Sequence, residues 1–267
     1  MQVVSGVSVF TAAMFIVASL GVIAGFFFIA TRGALLMRSV FGMRERSADH
    51  VYPIYSQWWL MKLVDHQPII SAILLFQYSK LVDRIVLEIS RTALLGKRVL
   101  ITSCAFGNVI PRLADASSDQ DAERIVITDI IKNELLHVKG KLAGIKTPID
   151  YVLGDALNMK QEDGVMEMNV LFFLLHELPN TLKEVALAEA GRVIAPGGKL
   201  VLAEFHRPDS YFLRLLSRMY FYVFEPYGLS LWDTHDPFRY LDESGKWECT
   251  RETYFLSNFQ VIVAIKK

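Results

Sequence analysis

Two apolar runs, each ending in a histidine and a carboxylate and separated by one helix-length segment, constrain this chain more than any other feature. The first, M-N-V-L-F-F-L-L-H-E-L-P at 168–179, runs into His176 and Glu177. The second, V-I-A-P-G-G-K-L-V-L-A-E-F-H-R-P at 193–208, turns at Pro196-Gly197-Gly198 and runs into Glu204 and His206. Unbroken apolar runs of this kind are strands buried on both faces, the mark of a parallel sheet covered by helices. Ligands bind such sheets at the carboxyl ends of the strands. The four ionisable groups therefore mark a candidate active site.

The rest of the chain supplies the partners of those two strands. Residues 97–103, 124–129 and 149–153 read as earlier strands, with helices expected at 108–114, 132–142 and 180–193. Helical periodicity also runs through 57–65 and 68–92, the second an amphipathic helix expected to cover the sheet. Apolar runs at 248–256 and 259–265, joined by Ser257-Asn258, read as an antiparallel hairpin. Strands alternating with helices, closed by a hairpin, predict an α/β fold with a Rossmann-like sheet, similar in layout to class I S-adenosylmethionine (SAM) methyltransferases.

The cofactor site is expected after the first strand, in Thr102-Ser103-Cys104-Ala105-Phe106-Gly107-Asn108. SAM enzymes usually carry an acid and three alternate glycines there, since glycine lets the backbone approach a ligand beside a helix N-terminus. Here only Gly107 remains, with Ser103 and Ala105 in place of glycines and Ile101 in place of the acid. Asp129 ends the second strand, where a carboxylate accepts ribose hydroxyls. Asp155 follows the third, in reach of an adenine amino group. Either acid would alternatively serve as a helix N-cap.

His176, Glu177, Glu204 and His206 form the expected catalytic set. Imidazoles with carboxylates suit a divalent metal, magnesium or manganese where oxygen ligands dominate. His176, Glu204 and His206 are the expected ligands. The same groups equally suit general-base work near neutral pH. On this reading His176→Ala removes activity and leaves the fold intact. Arg207-Pro208 then opens an insertion to about residue 247. Its aromatic stripe, Tyr211 to Phe224 with Arg214 and Arg218 on one face, reads as core, or as a lid dipping into a membrane interface. Trp232, Asp233 and His235 would close it or form a surface loop.

Residues 1–31 carry no charge, longer than the roughly 20 apolar residues of a membrane span. Arg32, Arg38, Arg44 and Arg46 follow, which predicts one span over 1–44 with domain 45–267 on the cytoplasmic or matrix side. Lys+Arg and Asp+Glu balance at 28 each, so no bulk basic field points to nucleic acid as a partner. Cys104 and Cys249 give neither a disulfide framework nor zinc spacing.

L-F-F-L-L-H-E-L-P, E-F-H-R-P, E-P-Y-G-L-S-L-W and R-E-T-Y-F followed by F-Q-V-I-V resemble the RquA family of rhodoquinone biosynthesis, over about residues 52–265. The resemblance implies a methyltransferase-like enzyme that replaces a ubiquinone methoxy group by an amino group, with SAM as amino donor and manganese assisting. It implies a SAM pocket at Gly107, Asp129 and Asp155, and a quinone met in the lipid bilayer. A conventional SAM methyltransferase acting on a quinone or lipid, and a non-catalytic assembly partner, are the other readings. A homo-oligomer is left open.

Overall fold

The computed structural model describes residues 64–267 continuously, with residues 61 and 62 and scattered helical positions between 11 and 28. Residues 45–56, whose polar and then Pro- and Tyr-containing sequence reads as a linker, and most of the expected span lie outside the described residues. Among those described, no helix is long and apolar enough to cross a membrane.

The elements run α1 (Gln67–Ile73), α2 (Tyr78–Ser90), β1 (Arg98–Thr102), α3 (Val109–Asp119), β2 (Arg124–Asp129), α4 (Lys132–Lys141), β3 (Ile149–Leu153) and β4 (Met166–Phe172). A 3₁₀ turn (Leu175–Glu177), α5 (Asn180–Arg192) and β5 (Ile194–Phe205) follow, then α6 (Tyr211–Val223), a second 3₁₀ turn (Gly228–Trp232), α7 (Pro237–Glu243), β6 (Trp247–Tyr254) and β7 (Phe259–Lys266). The sheet has the order β3-β2-β1-β4-β5-β7-β6. The first five strands are parallel, and β7 runs antiparallel between β5 and β6. Strand order reverses between β1 and β4, so their carboxyl ends open the crevice where open α/β sheets bind ligands.

Burial explains the pattern. Val99, Ile101, Ile125, Ile127, Val170 and Val201 join a core under α2 and α3, while Leu100, Leu171, Leu200, Leu202 and Ile262 join another under α5. Alternate residues of each strand feed opposite faces. β6 is one of the two edge strands, β3 the other, and its Glu248, Arg251 and Glu252 are charged residues of the kind that discourage edge-to-edge pairing.

Three local expectations change. The helix expected over 68–92 is two helices, because Leu75 (φ +50°) and Phe76 (φ +58°) turn the chain between them. Neither is glycine or asparagine, so no residue type announces the turn. The Pro196-Gly197-Gly198 turn is absorbed into β5 as an irregularity: Met166 pairs with Ile194, but Met168 pairs with Lys199. The hairpin link spans 255–258, with Phe255, Leu256 and Ser257 all at positive φ.

Candidate active site

The cofactor loop is held by side chains arriving from far away in sequence. Ser103 leaves β1 at φ +74°, and its N–H bonds the Thr128 carbonyl at 2.8 Å. The buried Asp129 then accepts from Cys104 N (2.6 Å) through Oδ2 and from Ile131 N (2.7 Å) through Oδ1. Gly107, at φ +83°, is needed twice over: its backbone is left-handed, and a Cβ there would fall 2.5 Å from Tyr78 Oη. Ala105 lies half-buried in the same loop. Asp155 Oδ1 accepts from Leu157 N at 2.9 Å, closing its own turn as Asp does in Asx-turns.

The N-terminus of α3 is already engaged. Gly107 N donates to Asp65 Oδ1 (2.7 Å), Asn108 N to Gln67 Oε1 (3.2 Å) and Val109 N to Tyr78 Oη (2.7 Å). Lys141 Nζ bridges Asp65 Oδ1 (2.5 Å) and the Gly107 carbonyl (2.9 Å), and His137 Nε2 lies 2.8 Å from Asp65 Oδ2. Nothing in the sequence pattern marks Asp65 or Gln67 for this role, since their partners lie some forty and more residues away.

Glu134, in the first turn of α4, is 2% exposed, and its Oε1 has no hydrogen-bond partner. Burial chiefly, with Asp129 and Asp65 adding and Lys141 opposing, raises its pKa from 4.5 to about 9. An acid raised in the folded state costs stability as pH climbs from about 4.5 towards 9, where only the unfolded chain ionises freely. Glu134→Gln is therefore expected to raise Tm, by more at pH 8.5 than at pH 5, with a gain on the order of several kcal/mol at the higher pH. Thermal melts across that range check it.

The chain's own residues fit SAM. Asp129 takes a backbone donor on each oxygen and further hydrogen bonds from the Cys104 and Ser103 side chains, and a ribose hydroxyl at the end of β2 would exchange with those side-chain donors. The orphaned Glu134 oxygen beside it suits a ligand carrying donors and positive charge.

At the ends of β4 and β5 the geometry is tighter than the sequence indicated. Glu204, 1% exposed, accepts from Leu175 N (2.9 Å), His176 N (3.2 Å) and Phe205 N (2.8 Å), and His176 Nδ1 lies 3.1 Å from its Oε1. From the other side, the fully buried Lys183 of α5 donates through Nζ to the carbonyls of Leu175 (2.6 Å) and Leu178 (2.7 Å). Burial lowers the Lys183 pKa to about 8, against the raising effect of Glu204 and Glu225. The 3₁₀ turn carrying His176 is thus clamped by an anion on its N–H groups and a cation on its carbonyls. Lys183 had a readable signal: it occupies the buried phase of α5 with Ala186, Leu187 and Ala190, a place where a lysine needs buried acceptors.

Burial pulls the His176 pKa down, but Glu204 outweighs it, with Glu225 and Glu177 adding, and the result is raised to about 9. Beside Glu204 the His176 imidazole is therefore held in its protonated form, which favours giving up a proton over accepting one. Its ring meets Phe205 edge-on at 5.0 Å and Phe173 at 6.0 Å.

The expected metal set is not assembled. Glu204 and His206 would share a face had β5 continued, but β5 ends at Phe205. His206 turns to the hairpin instead, with Nδ1 2.8 Å from the Ser257 carbonyl and Nε2 3.1 Å from Arg251 Nη1. Both Glu204 oxygens are spent on backbone donors and His176. Among the described residues, no three His, Cys, Asp or Glu side chains are grouped to hold a metal ion. Glu177 stays at the site, half-buried on the same turn as His176.

A seven-stranded sheet of this order, with an acid ending β2 and a loop turning at Gly107 after β1, defines a class I methyltransferase-type domain. The solved SAM-dependent methyltransferase of Aquifex aeolicus has this fold, with a TM-score of 0.52 at 15% identity over 79% of this chain and 99% of that one. Residues 60–255 match the ubiE/COQ5 methyltransferase family, and the chain belongs to it. Similar proteins include the ubiquinone/menaquinone biosynthesis C-methyltransferases UbiE of Teredinibacter turnerae, 29% identical over 59% of this chain and 63% of its own, and of Vibrio campbellii, 30% identical over 56% and 57%. The chain thus spans about three fifths of the length of the curated relatives it matches.

Proposed function

We propose that this chain is a SAM-dependent transferase that modifies the ring of a membrane quinone of the ubiquinone type, and that it replaces a ring methoxy group by an amino group. The observation that carries the finer reading is the occupied N-terminus of α3. Asp65, Gln67 and Tyr78 take the N–H groups of residues 107–109, and Ser103 and Ala105 replace two glycines. The amino-acid end of SAM then meets a different environment from the one a glycine-rich loop offers.

When bound, SAM supplies the group that the ring receives. The chain's part is acid catalysis and positioning. His176, protonated and fixed by Glu204, donates from Nε2 to a quinone oxygen, which gathers negative charge when a nitrogen adds to the ring carbon bearing the methoxy group. Collapse of that adduct expels methoxide, which leaves as methanol; the nitrogen's bond to its donor carbon would then break with water taking its place there, so that the ring keeps an amino group and the donor departs as a hydroxy acid. Phe173 and Phe205 line the apolar approach to the imidazole.

Membership of the ubiE/COQ5 family favours a second reading, ring methylation. One incubation separates them: ubiquinone, SAM labelled with nitrogen-15 at its amino group, with and without manganese, read by mass spectrometry. Heavy nitrogen in place of a methoxy group is the expected product. A methylated quinone without the label establishes methylation instead, and an unaltered quinone in both arms rejects the substrate.

A further inference from the structure

Leu95 (77% exposed) and Phe76 (74%) stand apart, but the other strongly exposed large apolar side chains outside the N-terminal region gather on two elements. On α6, Tyr211 is 80% exposed, Phe212 68% and Met219 59%, and only Phe221 of that helix is buried. At the hairpin tip, Leu256 is 60% exposed and Phe255 41%. The two elements are tied together. Asp209 N donates to the Leu256 carbonyl (2.9 Å), Ser257 Oγ bonds the Asp209 carboxylate, and Ser217 Oγ bonds Asn258 Oδ1 (2.8 Å).

We propose that the outer face of α6 and the hairpin tip form one membrane-contact surface, which seats the site on a phospholipid bilayer bearing anionic headgroups. In naming the purpose of this contact the proposal rests on the quinone reading above; the contact itself does not. Charge supports the choice of occupant. α6 holds Arg214 and Arg218 and no acid: Arg214 is partly buried, with Nε bonded to the Pro208 carbonyl (3.0 Å), while Arg218 is exposed beside Trp232 (5.9 Å), open to an anionic headgroup. An apolar face rimmed by arginines is the pattern of a helix lying in an interface. Exposures of this size describe side chains that stand clear of the surface, which suits insertion between lipids better than a groove that receives a partner helix. The chain carries a further bilayer-compatible element, with Met14, Phe15, Val17 and Val22 exposed among its described N-terminal positions.

The inner side of α6 gives this surface its use. Phe221 and Tyr220 pack on Phe205 at 4.9 and 6.2 Å, and Phe205 packs on His176. A chain of packed aromatic rings thus links the apolar face to the imidazole, and a quinone ring parting them would reach the site with its tail still in the bilayer.

The test uses the full chain in a Cys249→Ser background, with a fluorophore attached at Met219→Cys, at Leu256→Cys, or at Asp119→Cys on the opposite edge of the sheet. Vesicles of phosphatidylcholine and phosphatidylglycerol carry quenchers on their acyl chains, and neither quinone nor SAM is present. Emission is expected to fall at least twofold at 219 and 256 and to hold at 119. Adding Phe212→Glu and Leu215→Glu, both on the exposed face, is expected to abolish quenching at 256. Vesicle-bound protein with all three labels unquenched overturns the proposal, since the N-terminal residues then make the contact alone. Labels shielded without vesicles, in a particle of twice the mass, overturn it in favour of a second copy of the chain. Failure of quinone turnover would leave the quenching result untouched, and the reverse also holds.

Discussion

His176→Gln is expected to lower kcat on the quinone by about 10²- to 10⁴-fold, the usual worth of a positioned acid–base group, with little loss of Tm. Glutamine is the informative replacement because the structure changes what alanine would report. Alanine strips the imidazolium from a carboxylate that is 1% exposed, so lost activity would be mixed with lost stability. The glutamine amide still reaches Glu204 but holds no transferable proton. The pH profile gives a second readout. With the pKa raised to about 9, wild-type kcat is expected to hold through neutral pH and fall as His176 deprotonates near 9. The variant should lose that alkaline limb. A wild-type profile that instead rises through pH 6–7 and stays high would make His176 a base and sink the donor role.

The sheet was legible in the sequence because buried parallel strands are apolar on both faces. Arg124–Asp129 and Ile149–Leu153 fall where the pattern places them. His176 was legible for a related reason: a polar residue at the carboxyl end of a buried strand has few places to go except the crevice. His206 misled because period-two reasoning holds only while the strand lasts, and β5 stops one residue short of it. Glu204 was legible as a site residue but not as a clamp, since three of its donors are backbone N–H groups, which every sequence has. Asp65 was hidden altogether, because its contacts with Gly107, His137 and Lys141 exist only once α1 lies over the cofactor loop.

Glu204→Ala is expected to cost about 3–5 kcal/mol, the range for breaking a buried ion pair by removing one partner. At roughly 2–4 °C per kcal/mol for a domain of this size, Tm should fall by about 6–20 °C. Three causes act together. The N–H groups of Leu175, His176 and Phe205 lose their acceptor, His176 loses its counter-ion, and Lys183 loses a nearby negative charge. The pH dependence fixes which cause leads. His176 is raised above its ordinary 6.5 when folded, so the pair's contribution is complete below about pH 6.5 and is lost as pH rises through 9. The gap in Tm between wild type and Glu204→Ala should therefore narrow from pH 6 to pH 9.5, yet not close, because the three N–H groups need an acceptor at every pH. Glu204→Gln keeps one carbonyl oxygen for those donors and should fall between the two. Had Glu204 been a metal ligand, the alanine variant would lose activity and leave the melting curve of the metal-free protein in place. A melt without added metal thus decides between a carboxylate that holds the turn and one that holds an ion.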